Sequence, residues 1–325
     1  MSINMERKKL HQALALDGIS RLPNFLNRAH MRGFVPFGAT KDVANPLYAD
    51  PMGQDIHWPF VVKYWDTYYL LYCLSGGTNH HKELRIATSS DGKTFTFQKV
   101  IMTGSYGLEP HSVVRVGDEF WIYLAYIESS GGPWECGLTK TTDLLDETKY
   151  SSPVKVMSVG SPGAWDESYA TDPRVVYWRG KFWLYYIGHA GTWDSGGTGL
   201  AKSVDGETFT KVNGKLIGVG GAGSWDEDRH CICSIVPTIS GITYVAYGID
   251  ASSELRNFLV VSEDGENFTR WYKELISKGS TYDDLEVIIQ SIFNVDRDLV
   301  LYYQAKRSSG SPAKTLCRAI IEDFF

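Results

Sequence analysis

The sequence predicts an all-β protein, a five-bladed β-propeller of four-stranded antiparallel blades. One phrase recurs five times: an apolar strand, a short turn, then an aromatic-rich strand. The copies begin at Pro59, His111, Pro173, Cys233 and Gln290, roughly 52 to 62 residues apart, a period of repeat architectures. Three copies run on into a third strand with a shared Asp-Gly turn, in RIATSSDGKTFTF, LAKSVDGETFTKV and VVSEDGENFTRW. Alternating apolar residues around such a dipeptide mark a hairpin. No copy carries a long helical pattern, and a four-stranded unit repeated radially is a propeller blade.

The elements follow in chain order. Residues 1–31 read as an N-terminal extension, a short helix or an outer strand that closes the ring, and residues 32–325 as one propeller domain. Blade one carries PFVVKYWDTYYLLYCLSGG, and blade two carries HSVVRVGDEFWIYLAYIESSGG, with GLTKTTDLLDETKY where the others have Asp-Gly. Blade three carries PRVVYWRGKFWLYYIGHAG, blade four CSIVPTISGITYVAYGID and blade five QSIFNVDRDLVLYYQAK, ending early in TLCRAIIEDFF. GAWDES at Gly163–Ser168 and GSWDED at Gly223–Asp228 stand at nearly equivalent places in blades three and four. That echo marks a blade-joining element and counts against a chemical role for Glu167, and by the same logic for Glu227.

Composition narrows the function. With 43% hydrophobic and 22% charged residues over 325 positions, the chain can bury a large core and is not disordered. A net charge of -6 with no Lys/Arg-rich run gives no footprint for nucleic acid or an anionic membrane. No segment reaches membrane-spanning length. The N-terminal stretch lacks the apolar run of a signal peptide. The five cysteines, Cys73, Cys136, Cys231, Cys233 and Cys317, are odd in number and lack paired metal-type spacing. They read as reduced thiols of a cytoplasmic protein, and no metal-ligand set is identified. Ten Trp and 19 Tyr supply flat apolar faces of the kind that sugar rings pack against.

In a propeller the innermost strand of each blade lines the channel, so the loop before strand one and the loop after strand two open on one face. Before the inner strands stand Asp55, His57 and Trp58; Glu109 and His111; Asp172; Glu227, Asp228 and His230; and Asp283, Asp284 and Glu286. After strand two come Asn79, His80 and His81; Glu128, Trp134 and Glu135; His189, Trp193 and Asp194; Asp250 and Arg256; and Gln304 and Lys306. Convergent acids, histidines and tryptophans at one mouth make a polar, aromatic-lined pocket. Paired carboxylates are what glycosidic cleavage requires, one protonated toward the leaving oxygen and one ionised.

These residues resemble the five-bladed glycosidases, in particular glycoside hydrolase family 43 and its relatives in families 32, 68, 117 and 130. The local match is Tyr169-Ala-Thr-Asp-Pro-Arg-Val-Val, which resembles the Asp-Pro that opens the third-blade inner strand in families 32 and 43. The resemblance implies an orienting role for Asp172. It places the general base where this chain has Trp58, with Asp55 and His57 as the nearest candidates. It places the acid near Cys231, with Glu227, Asp228 and His230 just upstream and Glu109 in reserve; similarity to family 117 would give the acid role to His230 or His111. The expected activity is a glycoside hydrolase on short oligosaccharides, furanosides by resemblance. Catalysis falls to Asp55, Asp172, Glu227 and Glu109, and sugar binding to His57, Trp58, His111, His189, Trp193, His230 and Glu286. No cofactor is required, and a structural cation held by oxygen ligands and water fits the channel. A phosphorylase using Arg174, Arg229, His230 and Arg256 to hold phosphate, and a non-catalytic sugar binder, are the alternatives. The partner is a small carbohydrate, and nothing in the sequence sets an oligomeric state.

Overall fold

The computed structural model describes residues 39–75, 81–104, 106–191, 196–212, 214–237, 242–272, 274–279, 281–295 and 298–321. Blade one is β2 (Asp55–Tyr64), β3 (Thr67–Ser75), β4 (Glu83–Ser89) and β5 (Thr96–Thr103), and blade two is β6 (Leu108–Val116), β7 (Glu119–Tyr126), β8 (Glu135–Thr141) and β9 (Val154–Met157). Blade three is β10 (Tyr169–Trp178), β11 (Lys181–His189) and β12 (Gly197–Ser203), with two short outer strands on β12, β13 (Thr210–Lys211) and β14 (Ile217–Gly218). Blade four is β15 (Arg229–Pro237), β16 (Ile242–Ile249), β17 (Leu255–Ser262) and β18 (Thr269–Trp271). Blade five is β19 (Glu286–Val295), β20 (Asp298–Lys306) and β21 (Lys314–Ile321), completed on its outer edge by β1 (Thr40–Lys41).

All these pairings are antiparallel, and the inner strands contact one another in a closed ring, β2 on β6, β6 on β10, β10 on β15, β15 on β19 and β19 on β2. Five apolar clusters hold the blade interfaces together, each drawing residues from neighbouring blades. The ring-closing strand comes from Thr40–Lys41, downstream of the extension expected to supply it; residues 1–31 lie outside the described residues. Among the described residues no helix is long and apolar enough to cross a membrane.

The repeated Asp-Gly turns are joints between blades. In each, a serine hydroxyl and an aspartate accept the turn's backbone amides, as Ser89 and Asp91 do for Gly92, Lys93 and Thr94, and the glycine takes a positive φ, 68° at Gly92, which only glycine adopts cheaply. A tyrosine from the preceding blade then donates to the glycine carbonyl: Tyr302 to Gly92, Tyr123 to Gly206 and Tyr185 to Gly265. Leu71 and Val245 stand at the matching register of blades one and four, and the blades after them, two and five, are the ones that lack the turn.

A second device recurs around the ring. Each blade buries one acid against a cation from its outer strands: Asp50 with Arg85 at 3.0 Å, Glu135 with Lys155 at 3.1 Å, Asp166 with Lys211 at 2.6 Å, Asp226 with Arg270 at 2.8 Å and Asp283 with Lys41 at 2.6 Å. Tyr72, Tyr186 and Tyr303 add a hydroxyl donor to Asp50, Asp166 and Asp283. In blade four Ala246 occupies the tyrosine's register, and Asp226 is met instead by His230 at 2.7 Å and Tyr272 at 2.6 Å. Pairing of this kind is what makes a buried carboxylate tolerable.

Candidate active site in the channel

One irregularity of register in each inner strand builds the centre. Between His57 and Phe60, Pro110 and Ser112, Thr171 and Arg174, Ile232 and Ser234, and Ile289 and Ser291 the pairing with strand two slips. The residues freed by these bulges are Trp58, His111, Asp172, Cys233 and Gln290. In blades one and three the bulge holds X-Pro, and there Trp58 and Asp172 take positive φ values of 47° and 56°. Proline loses no ladder bond at a bulge, while a left-handed aspartate or tryptophan is a strained conformation of the kind that gathers at functional sites. The freed side chains meet: the Trp58 and His111 rings lie 5.3 Å apart, and His111 Nε2 lies 3.3 Å from Asp172 Oδ1.

Glu109 stands beside this ring, one strand position outside the blade-two bulge. Its Oε2 is 3.6 Å from His111 Nε2, and its Oε1 is 2.5 Å from His81 Nδ1 and 3.6 Å from His57 Nδ1. Below, the buried Arg174 crosses the channel, donating to the His111 carbonyl at 2.6 Å and to Gln290 Oε1 at 2.8 Å. Glu109 and Asp172 are both about 5% exposed, so the two carboxylates are buried within the cluster. Trp134 closes the side, its ring edge-on to His81 at 5.7 Å.

The environments push the two acids apart. Burial raises the Asp172 carboxyl, and the Glu109 charge adds to that rise against the pull of His111 and Arg174. Burial also acts on Glu109, but the His111, His57 and His81 rings beside it outweigh burial and hold Glu109 well below the ordinary carboxylate range. Burial lowers His57 to about 4 and lowers His111 despite the acids beside it, so both rings are neutral near pH 7. Burial brings Arg174 down to about 10, leaving it charged. Two overlapping donor sets lie within 4.8 Å: His57, Cys73, His81 and Glu109, and Glu109, His111 and Asp172.

Of the residues singled out from sequence, Glu109, Asp172, His57, Trp58 and His111 are brought together here. Asp55 is not among them; its Oδ1 accepts the Ala313 and Lys314 amides at 2.5 and 3.1 Å, tying blade one to blade five. Glu227 closes its own turn by accepting the Gly223 amide, as Glu167 does from Gly163. His230 is fully buried in the blade-four clasp with Asp226. His189 is buried at the end of β11 and stacked on Tyr169 at 4.2 Å, and Glu286 accepts from Gln304 at 2.8 Å. Trp193 lies outside the described residues. His81, read from sequence as a residue of the channel mouth, and Arg174, read as a phosphate-holding residue, also stand here, while Gln290, Cys73 and the half-buried Lys314, which acts electrostatically on His57 and Cys73, were not expected at the centre. Alignment of the five bulges would have found Gln290, since it shares the register of Trp58 and Asp172.

No protein-family profile matches the chain, and no curated protein matches it. Solved structures do. A structure titled a glycoside hydrolase is 17% identical, with a TM-score of 0.70 over 91% of this chain and 94% of that one. The β-1,2-mannobiose phosphorylase of Listeria innocua is 14% identical, with a TM-score of 0.65 over 88% of this chain and 97% of that one. A structure titled for family 130 mannoside phosphorylases and hydrolases that target β-1,2-mannosidic linkages in Candida mannan is 16% identical, with a TM-score of 0.70 over 89% and 95%. In fold, the chain is a five-bladed β-propeller of the architecture seen in these solved glycoside hydrolases and mannoside phosphorylases.

Proposed function

We propose that the chain is a carbohydrate-active enzyme that cleaves a glycosidic bond in the channel, with Asp172 as proton donor to the leaving oxygen. The observation that carries this reading is the buried Asp172–His111–Glu109 series, in which one imidazole nitrogen lies 3.3 Å from one carboxylate and 3.6 Å from the other. Burial favours the protonated form of Asp172 and the charge of Glu109 adds to it, with His111 between the two, the arrangement that suits a general acid. Trp58 gives a sugar ring an apolar face beside that acid. The architecture shared with solved carbohydrate enzymes supports the substrate class. This assignment moves the acid from Glu227 to Asp172 and leaves Asp55 and Glu227 as structural groups.

Water and phosphate are the competing nucleophiles. Hydrolysis is the leading form. The phosphorolytic reading draws on Arg174 at the channel floor and on the mannobiose phosphorylase among the neighbours. The test is product release from aryl furanosides, aryl β-mannosides and β-1,2-mannobiose, with and without inorganic phosphate, for the wild type and Asp172→Asn. Loss of a general acid predicts a fall of roughly 10²–10⁴-fold. Turnover that requires phosphate would make the enzyme a phosphorylase. Glycan binding with no turnover on any substrate would overturn the catalytic reading in favour of a sugar-binding propeller.

A further inference from the structure

We propose that the channel also holds one divalent transition-metal ion of zinc type, bound by His57, His81 and Glu109 with Cys73 as fourth donor. The proposal goes beyond the glycosidic reading and does not depend on it. The four side chains come from three different places, β2, β3 and the segment after it, and β6, yet one donor atom of each lies within 4.8 Å of all the others. Around a tetrahedral ion with bonds of about 2.0–2.3 Å, neighbouring donors stand roughly 3.3–3.8 Å apart. His57 Nδ1 to Glu109 Oε1 is 3.6 Å and Cys73 Sγ to His81 Nδ1 is 3.8 Å. The third edge, His81 Nδ1 to Glu109 Oε1 at 2.5 Å, is a direct contact that would open by less than an ångström as the ion replaces the shared proton.

A second observation points to a ligand. His57 Nδ1 is buried and has no hydrogen-bond partner, although buried polar atoms are otherwise almost always satisfied, and it faces the same Glu109 oxygen as His81. The donor chemistry also selects the ion. Two neutral imidazoles, one carboxylate and one thiolate, formed as Cys73 releases its proton on binding, balance a charge of +2, and this nitrogen, sulfur and oxygen mixture suits zinc rather than calcium or magnesium. The site therefore differs from the oxygen-ligated channel cation expected from sequence. Four protein donors complete the tetrahedron, so the ion is structural, pinning His81 and Glu109 against β2 and leaving Glu109 Oε2 toward His111.

The experiment reads metal rather than turnover. Purified protein is stripped with a chelator, dialysed and loaded with Zn²⁺ or Co²⁺, and stoichiometry, thermal midpoint and the cobalt absorption spectrum are recorded. The expected result is one equivalent bound, a higher midpoint with ion, and visible tetrahedral-cobalt bands with a thiolate-to-metal band that disappears in Cys73→Ser. Loss of a first ligand exceeds the 10–100-fold cost of losing a supporting group, so His57→Ala and His81→Ala should each weaken binding more than about 100-fold, with folding checked by near-ultraviolet circular dichroism. No uptake by wild type from excess ion, or uptake equally tight in both histidine variants, overturns the site. A thiolate band that survives Cys73→Ser overturns the fourth donor. Turnover unaffected by metal leaves the site standing, and metal binding without turnover leaves it standing while the glycosidic reading fails.

Discussion

The buried acids of this propeller form two groups, and the contrast between them separates structure from chemistry. In the clasps, Asp50, Asp166, Asp226 and Asp283 each meet a cation at 2.6–3.0 Å and a phenol or imidazole donor as well. In the channel, Glu109 and Asp172 are buried almost as deeply, but their near neighbours are histidines, and no cation contacts either carboxylate within salt-bridge distance among the described residues. A buried acid with a dedicated cation is fixed in one charge state and contributes to the fold. An acid left to imidazoles can change charge state without tearing a clasp apart, which is what a proton donor has to do.

The sharpest test crosses the two groups. Asp172→Asn should abolish roughly 10²–10⁴-fold of activity while leaving the thermal midpoint near that of wild type, because the amide fills the same bulge. Asp226→Asn should do the reverse. Removing one member of a buried charged network costs on the order of 3 kcal/mol, or roughly 5 °C in a domain of this size, with activity retained below the midpoint. Equal effects of both substitutions on turnover, or a large stability loss in Asp172→Asn, would dissolve the distinction.

Acid titration of stability offers a second test. Burial alone would raise Asp226, but hydrogen bonds from His230, Tyr272 and Arg270 outweigh it and bring the carboxyl down to about 2. Its folded pKa is therefore below its ordinary value of 3.8. The stabilisation it gives is complete above pH 4 and lost as pH falls toward 2, and it amounts to about 2 kcal/mol. His230, lowered by burial, acts in the same direction from a higher pH, since protonating it in the fold is unfavourable. Thermal midpoints recorded from pH 7 to pH 2 should fall in two stages, and Asp226→Asn should flatten the lower one. An unchanged lower stage in that variant would remove Asp226 as its source.

Much of this organisation is written in the sequence, because the repeated phrase, the Asp-Gly turns and the strand periodicity are local signals. Which acids serve chemistry is not local. Glu109 and His111 were visible as polar residues ahead of a strand, but their importance depends on bulges in three blades that bring His111 against both Trp58 and Asp172. His81 follows strand two of blade one and reaches Glu109 of blade two, a contact that crosses a blade boundary. His230 misleads for the converse reason: it stands at the start of an inner strand as a channel residue would, yet Ala246 holds the tyrosine's register in that blade, and its ring meets Asp226 in the clasp.

The smallest expected effect tests the boundary between the groups most directly. Glu227 stands just upstream of the blade-four place, near Cys231, that the family resemblance gives to an acid, yet it accepts the Gly223 amide as Glu167 accepts that of Gly163 in blade three, and both side chains lie at half-exposed turns. A glutamine keeps the carbonyl acceptor, so Glu227→Gln and Glu167→Gln should match each other, each costing under about 1 kcal/mol of stability and changing turnover less than threefold. Urea midpoints and rates of the two variants side by side decide the matter. If Glu227→Gln alone removes activity while Glu167→Gln does not, the two turns are equivalent in geometry but not in use, and the acid belongs to blade four rather than to Asp172.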